Sequence, residues 1–224
     1  DRTSFIYLAE QLASYGFAVA VPEHPGSNAE QLRSLFSGQA AEVAEPNEFI
    51  DRPLDVKYLL DELERLNAAN PSWRLNVNRA AIIGQSFGGY TALALAGAGL
   101  NFNQLRRECD NPQDVWNLSL LLQCRALALP LTQYNLQDYR IKAAIAINPF
   151  TSSVFGELGL KKIQIPVAIV SSSADTVAPA LPEQIIPFAW LTTKQKYLVS
   201  IDRATHFSTI GESAAEDSDP IPLP

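Results

Sequence analysis

The residues of this sequence best suited to chemistry are Ser86, Asp175 and His206. Ser86 lies in Gly84-Gln85-Ser86-Phe87-Gly88, a Gly-x-Ser-x-Gly pattern. It follows the apolar run Ala80-Ala81-Ile82-Ile83 and precedes Gly89-Tyr90-Thr91-Ala92-Leu93-Ala94-Leu95-Ala96. A serine on a sharp turn between a buried strand and a helix is held at strained backbone angles, with its hydroxyl projecting beyond the sheet. Glycine suits positions 84 and 88 because a Cβ at either is expected to collide with the neighbouring strand or helix. The same residues would also fit a plain glycine-rich turn with an incidental serine, so the rest of the chain must decide.

A serine hydroxyl becomes a nucleophile when a base takes its proton and a carboxylate holds that base in the right tautomer. The chain has two histidines. His206 follows the last predicted strand and Asp175 follows the strand before it, which reproduces the order serine, acid, histidine that goes with this turn. His24 is the competing base, but it lies N-terminal to Ser86 and out of that order. Asp202 is the competing acid; it is too close in sequence to His206 to approach the ring easily from the correct side, and it also reads as a surface-turn residue. The backbone N–H of Phe87, at the start of the helix, is the expected oxyanion donor.

These residues need a frame. Phe5, Ile6, Leu8, Ala9, Leu12 and Ala13 recur at helical spacing behind Thr3 or Ser4 and stop at Gly16. Residues 17–21 then read as a short buried strand ended by Pro22, followed by the turn residues Glu23-His24-Pro25-Gly26-Ser27-Asn28. Residues 29–48 are polar and without a clear period. Residues 51–67 predict a helix with Leu54, Val56, Leu59, Leu60, Leu63 and Leu66 on its apolar face, stopped by Asn70-Pro71. Beyond the serine turn, residues 101–139 read as an inserted helical cap, with a helical core at 115–129. Residues 141–147, 165–171 and 196–201 predict further strands, with a helix over 183–191. Strands alternating with helices in this rhythm give a mostly parallel sheet with helices on both faces, and chemistry in such sheets gathers at the carboxyl ends of the strands. The expectation is a single α/β domain over 1–224, with an acidic, proline-rich tail from 212 that carries no periodicity.

Composition narrows the function. The 224 residues are 47% hydrophobic, enough for a full core, and 17 Lys and Arg stand against 24 Asp and Glu for a formal charge of −7. With no basic cluster, nucleic acid is not the expected partner. No apolar run reaches the roughly 20 residues that a membrane span needs. The chain opens on Asp1 and has no methionine, so it is expected to be a processed or partial product. Cys109 and Cys124 bracket a polar segment and are expected either to form a disulfide, as in a secreted or periplasmic enzyme, or to remain reduced and buried. A zinc site is not expected, because neither histidine lies near them.

At these residues the chain resembles the α/β-hydrolase superfamily over nearly its whole length. Tyr15-Gly16-Phe17-Ala18-Val19-Ala20-Val21-Pro22-Glu23-His24, with Gly84-Gln85-Ser86-Phe87-Gly88-Gly89, resembles the plasma-type platelet-activating-factor acetylhydrolases and the bacterial proteins labelled predicted dienelactone hydrolases. Asp175-Thr176-Val177-Ala178-Pro179, Pro187-Phe188 and Ile201-Asp202-Arg203-Ala204-Thr205-His206-Phe207 are similar to bacterial cutinases, the polyester hydrolases. Both resemblances imply an α/β-hydrolase fold and a serine esterase without cofactor or metal, with Ser86 as nucleophile, Asp175 as orienting acid and His206 as base. True dienelactone hydrolases use a cysteine where this chain has Ser86. The polyester hydrolases imply a substrate-lining aromatic at Phe150, which reads equally well as packing under the cap. They have no counterpart of the Cys109–Cys124 segment, and that tilts the expected substrate toward small or lipid-like esters. The family's early histidine-glycine oxyanion motif is absent, so the second oxyanion donor, and with it the first two or three strands, is expected to lie outside this chain. Thioesterase, amidase or polyester-hydrolase activity on the same three residues is the alternative, as is a non-catalytic binding module.

Overall fold

In the computed structural model, which describes residues 2–28, 31, 34, 37, 39, 44–110 and 117–211, every strand expected beyond residue 79 forms. The strands are Ala80–Gln85 (β1), Ile141–Ile147 (β2), Val167–Ser172 (β3) and Lys196–Ile201 (β4). They make a 4-stranded sheet in the order β1-β2-β3-β4, parallel at each pairing. By its internal contacts the chain divides into two compact units, Asp1–Val43 with Phe207–Pro224, and Ala44–His206.

In the first unit, Ile6–Ser14 forms helix α1. Its ending is closed by the Gly16 N–H on Ala13 O at 2.9 Å. The C-terminal segment of this unit is hooked onto the helix by Tyr7 Oη donating to Thr209 O at 2.9 Å and by Gly211 N–H donating to Ser4 O at 3.0 Å. Residues 17–21 are not a strand. Strand geometry is stabilised by a ladder with a neighbour, whereas the Phe17 N–H turns back to Leu12 O at 3.3 Å and the Phe17 side chain is 62% exposed. His24 is buried and caps a single 3-10 turn, Pro25–Ser27.

The second unit carries the sheet. Helix α2, Glu48–Ala69, begins with Glu48 and Asp51 in its first turn, where negative charge meets the positive end of the helix dipole. Pro53 lies inside it and has no N–H to give Phe49 O one turn back. The phenol of Tyr90 donates to that carbonyl instead, at 2.8 Å, and both residues are fully buried. Arg140, at the foot of β2, ties α2 to the sheet. It pairs with Asp61 at 2.7 Å and Asp138 at 2.6 Å and donates to Lys57 O at 3.3 Å. Burial pushes the Asp138 carboxyl up, but the side-chain and backbone N–H groups of Arg140 outweigh it and hold the group below the usual carboxylate range.

Helix α3, Phe87–Leu95, is buried along nearly all its length and packs between α2 and the sheet. Phe49, Phe87, Tyr90, Phe150 and Phe155 form the aromatic centre of the main core, with Tyr90 stacked on Phe155 at 4.9 Å and Phe49 edge-on to Tyr90 at 5.0 Å. The segment expected to form a cap supplies α4, Phe102–Asp110, and α5, Leu118–Arg125. Its buried residues Leu105, Ala126, Leu129 and Leu136 belong to that same core. Cys109 and Cys124 are joined in a disulfide between the two helices. The start of the helix expected at 115 lies outside the described residues, as does the tail from 212. Short helices α6, Gly156–Leu160, and α7, Ile186–Trp190, complete the unit, the latter preceded by a π-turn over Leu181–Ile185. Among the described residues no helix is long and apolar enough to cross a membrane.

Candidate active site

Each strand of the sheet is followed at its carboxyl end by a polar residue: Ser86 after β1, Asn148 after β2, Asp175 after β3 and His206 after β4. In the register Gln85 pairs with Ile147, Ile147 with Val170 and Ser172 with Ile201, which brings the carboxyl ends level.

Ser86 joins β1 to α3 at φ 53° and ψ −116°, a conformation that costs a non-glycine residue roughly 1–3 kcal/mol. It is held from both sides. Its N–H extends the ladder to Ile147 O at 2.8 Å, while its carbonyl accepts the Tyr90 N–H at 3.1 Å and opens the helix. The glycines divide their labour differently from expectation. A Cβ on Gly84 would overlap the Gly88 carbonyl, but one on Gly88 would meet nothing nearer than Arg52 Nη2 at 3.9 Å. The second tight position is Gly89, where a Cβ would come within 2.9 Å of Pro149 Cβ. It is the loop after β2, pressed against the first turn of α3, that leaves no room. Phe87 is the first residue of α3, so its N–H is one of the amides that a helix leaves without an internal acceptor.

Asp175 and His206 are paired at Oδ2···Nδ1 2.6 Å, with side chains 0% and 4% exposed. The other carboxylate oxygen, Oδ1, accepts the N–H groups of Val177 and Ala178, both at 2.8 Å. A carboxylate so fixed at Nδ1 keeps the proton there and leaves Nε2 as the ring's basic nitrogen. The competing acid, Asp202, is exposed and occupied with Ser173 Oγ at 3.3 Å and Arg203 Nε at 3.4 Å.

Several polar residues that the sequence did not single out complete the site. The carbonyl of His206 accepts both Gln85 Nε2, at 2.9 Å, and Asn148 Nδ2, at 3.1 Å. Asn148 is fully buried at φ 42°; its N–H donates to Val170 O at 2.8 Å and its Oδ1 accepts the Ser172 N–H at 2.9 Å. Behind these residues lies a buried carboxylate, Glu183, whose Oε1 accepts Asn117 Nδ2, Gln123 Nε2 and Ser152 Oγ. Its Oε2 accepts the N–H groups of Thr151 and Ser152 at 2.6 and 2.9 Å. Pro187 cannot donate to Glu183 O one turn back, and Thr151 Oγ1 does so at 2.6 Å. Gln184 binds the neighbouring loops together, giving its Nε2 hydrogens to Pro149 O at 2.8 Å and Ala178 O at 3.0 Å. No spacing rule points to Glu183 or Gln184. Asn148 had a weak signal as the polar residue between an apolar strand and a proline.

Phe150 does not line an open surface. It is 1% exposed, stacked on Tyr90 at 5.7 Å and tilted against Phe87 at 5.4 Å, because the core beneath the elbow is aromatic on every side of it. Arg52 covers that core from α2, its guanidinium 4.7 Å above the Phe87 ring and its Nε on Thr91 Oγ1 at 3.2 Å. A cavity of about 330 Å³ is lined by Asn101, Phe102, Thr132, Tyr134 and Lys162 among others, and includes none of Ser86, Asp175 and His206. Among the described residues no group of three or more His, Cys, Asp and Glu is placed to hold a metal ion.

No protein-family model matches the chain, and no curated protein matches it. Among solved structures the chain is similar to the Paleococcus ferrophilus monoacylglycerol lipase, with a TM-score of 0.52 and 12% identity, over 90% of this chain and 80% of that one. The parallel sheet, the strand-to-helix elbow and this likeness place the chain in the α/β-hydrolase fold.

Proposed function

We propose that the protein is a serine carboxylic-ester hydrolase that works through an acyl-enzyme. The observation that carries the reading is a serine held at positive φ on the elbow after β1, in the same compact unit as a buried Asp175–His206 pair on the loops after β3 and β4. Ser86 Oγ attacks the ester carbonyl carbon as His206 Nε2 takes its proton, and the developing oxyanion meets the Phe87 N–H at the helix N-terminus. The bond to the alcohol breaks, and the alcohol leaves with the proton from Nε2. Water then attacks the acyl-serine, its proton passing to Nε2, and the acid departs as Ser86 is regenerated. Asp175 remains ionised and holds the imidazolium that forms at each stage.

Small or lipid-like esters are the proposed substrates. The burial of Phe150 removes the aromatic that a polyester hydrolase would use, and one structure of similar fold is a monoacylglycerol lipase. The narrower resemblance to platelet-activating-factor acetylhydrolases agrees with this choice. The Cys109–Cys124 disulfide favours an oxidising compartment, the periplasm or the cell exterior. Intact mass before and after reduction with alkylation should then shift by two alkyl groups only in the reduced sample.

The deciding experiment is labelling with a fluorophosphonate, read by peptide mass spectrometry. Label is expected on Ser86, with none in Ser86→Ala or His206→Ala. A p-nitrophenyl ester series from acetate to palmitate would then set the acyl preference, and matched thioester and amide substrates would set the bond. Absence of label, together with reversible binding of an acyl ligand, would replace the enzyme with a binding module.

A further inference from the structure

His206 lies beyond the last strand, on a loop with no regular secondary structure, yet an acyl-transfer base must be placed to within a fraction of an ångström. Asp175 holds the ring at Nδ1. A hydrogen bond to the ring does not by itself fix the backbone that carries it, and any shift of that backbone carries Nε2 with it. What fixes the other end of the residue is its own carbonyl, whose acceptor capacity is taken by two side-chain amides, Gln85 Nε2 at 2.9 Å and Asn148 Nδ2 at 3.1 Å. Both donors come from positions that are rigid for independent reasons. Gln85 is the last residue of β1 and is covalently joined to Ser86, so one side chain links the residue beside the serine to the backbone of the histidine. Asn148 follows β2, paired to β3 through its own N–H on Val170 O and through Oδ1 on the Ser172 N–H.

The identity of Asn148 follows from the same arrangement. Its φ of 42° lies in the left-handed region, which asparagine tolerates better than most side chains. The position also needs an acceptor and a donor on one short side chain, the acceptor for Ser172 N–H and the donor for His206 O. These opposite demands also fix which end of the amide is nitrogen. Glycine would satisfy the backbone and forfeit both bonds; aspartate would keep the backbone and the acceptor and lose the donor.

We infer that Gln85 and Asn148 are positioning residues that clamp the His206 carbonyl and thereby set where Nε2 stands relative to Ser86. The inference rests on the acyl-enzyme reading above for its kinetic consequence and on the hydrogen-bond geometry alone for its structural one. Neither residue touches the reacting atoms in this scheme. Their loss should slow proton transfer while leaving substrate binding alone.

The test uses the full chain with Gln85→Glu, Gln85→Ala and Asn148→Asp, the acidic variants keeping the side-chain shape and removing the donor. Two readouts are needed. The first is kcat and KM on a p-nitrophenyl ester: each variant should lose about 10- to 100-fold in kcat, the scale of a displaced catalytic group, with KM within twofold of wild type. The second is the His206 Nδ1 proton by NMR, assigned by its disappearance in His206→Ala, since the chain has only two histidines. Its resonance should broaden through exchange with water in each variant while the far-ultraviolet circular dichroism stays that of wild type. A merely structural role would lower the melting temperature without moving either readout. Folded variants with kcat within twofold of wild type and a sharp wild-type Nδ1 resonance would overturn the clamp. If the wild-type protein turns over no ester and takes no label at Ser86, the proposed function fails by itself, and the resonance alone decides the clamp. If Asn148→Asp does not fold, the Gln85 variants carry the decision.

Discussion

A φ of 53° at Ser86 means that the chain spends stability at the one residue whose hydroxyl is proposed to react. Alanine removes the hydroxyl and keeps the strain, whereas glycine removes both. Ser86→Gly should therefore be more stable than Ser86→Ala by about 1 kcal/mol, the relief of strain being partly offset by the greater freedom that glycine has when unfolded. Both variants should be inert toward a fluorophosphonate. Urea denaturation of the pair checks the first statement, and equal midpoints would show that the elbow stores no strain. The site depends on the elbow in another way as well. Gly84 and Gly89 stand where a Cβ would strike backbone or proline, but Gly88 has open space toward Arg52. Packing thus requires Gly84 and the third glycine of this run, Gly89, which lies outside the five-residue pattern, and not Gly88.

Elements here are joined through carbonyls that prolines have left without a helical donor. Pro53 exposes Phe49 O to the Tyr90 phenol, and Pro187 exposes Glu183 O to the Thr151 hydroxyl. Replacing Tyr90 by Phe leaves a buried carbonyl unpaired, and the loss should be about 1–3 kcal/mol at pH 7. The difference should depend on pH. Burial pushes the Tyr90 phenol well above its ordinary value, with only a partial counter-effect from Arg52, so the folded protein keeps the proton while the unfolded chain loses it above about pH 10. A raised folded value contributes stability below the unfolded value and loses it as pH rises. The gap between wild type and Tyr90→Phe should then narrow between pH 9 and 11, by up to about 1.4 kcal/mol per pH unit above 10. Urea midpoints across that range would read it, and a constant gap would show that Tyr90 ionises alike in both states. The same dependence on tertiary partners sets how much the sequence could reveal. Strands β2 and β3 were legible because buried parallel strands are continuous apolar runs, and the serine turn was legible because its glycines and flanks are local. Residues 17–21 have the same apolar signature, yet the Phe17 N–H turns back to α1. Gln85, Asn148 and Glu183 left little or no mark, because their roles depend on which carbonyl or amide the fold brings beside them. Asp175 and His206 were found through their order in the chain, and the 2.6 Å bond between them is a product of register.

For the molecule as a whole, acid is the condition that tests several features together. Asp138 is held below the usual carboxylate range by Arg140 against the opposing effect of burial. A depressed folded value gives stability that is full above the unfolded value near pH 4 and lost as pH falls through the folded one. Arg140 also binds Asp61 and Lys57 O, so protonating Asp138 loosens the join between α2 and β2. Wild type should lose stability below pH 4, and Asp138→Asn, weaker at pH 7, should show a flatter acid limb. Unfolding midpoints from pH 7 to 3 would measure this, and parallel limbs would refute it. The formal charge of −7 falls toward zero near the sequence pI of about 4.9, so solubility should be lowest just before the acid loss begins.

The strands stand in the sheet in the order in which they are synthesised, each with a polar residue beyond its carboxyl end. The ribosome therefore delivers Ser86 first, then Asn148, Asp175 and His206. A nascent chain holds its serine elbow before the Asp175–His206 pair can form. That pair is completed when the segment after β4 leaves the exit tunnel and the His206 carbonyl reaches Gln85 and Asn148. On the proposed function, the order of strands would act as a timer, holding the serine idle until the last of these residues is in place.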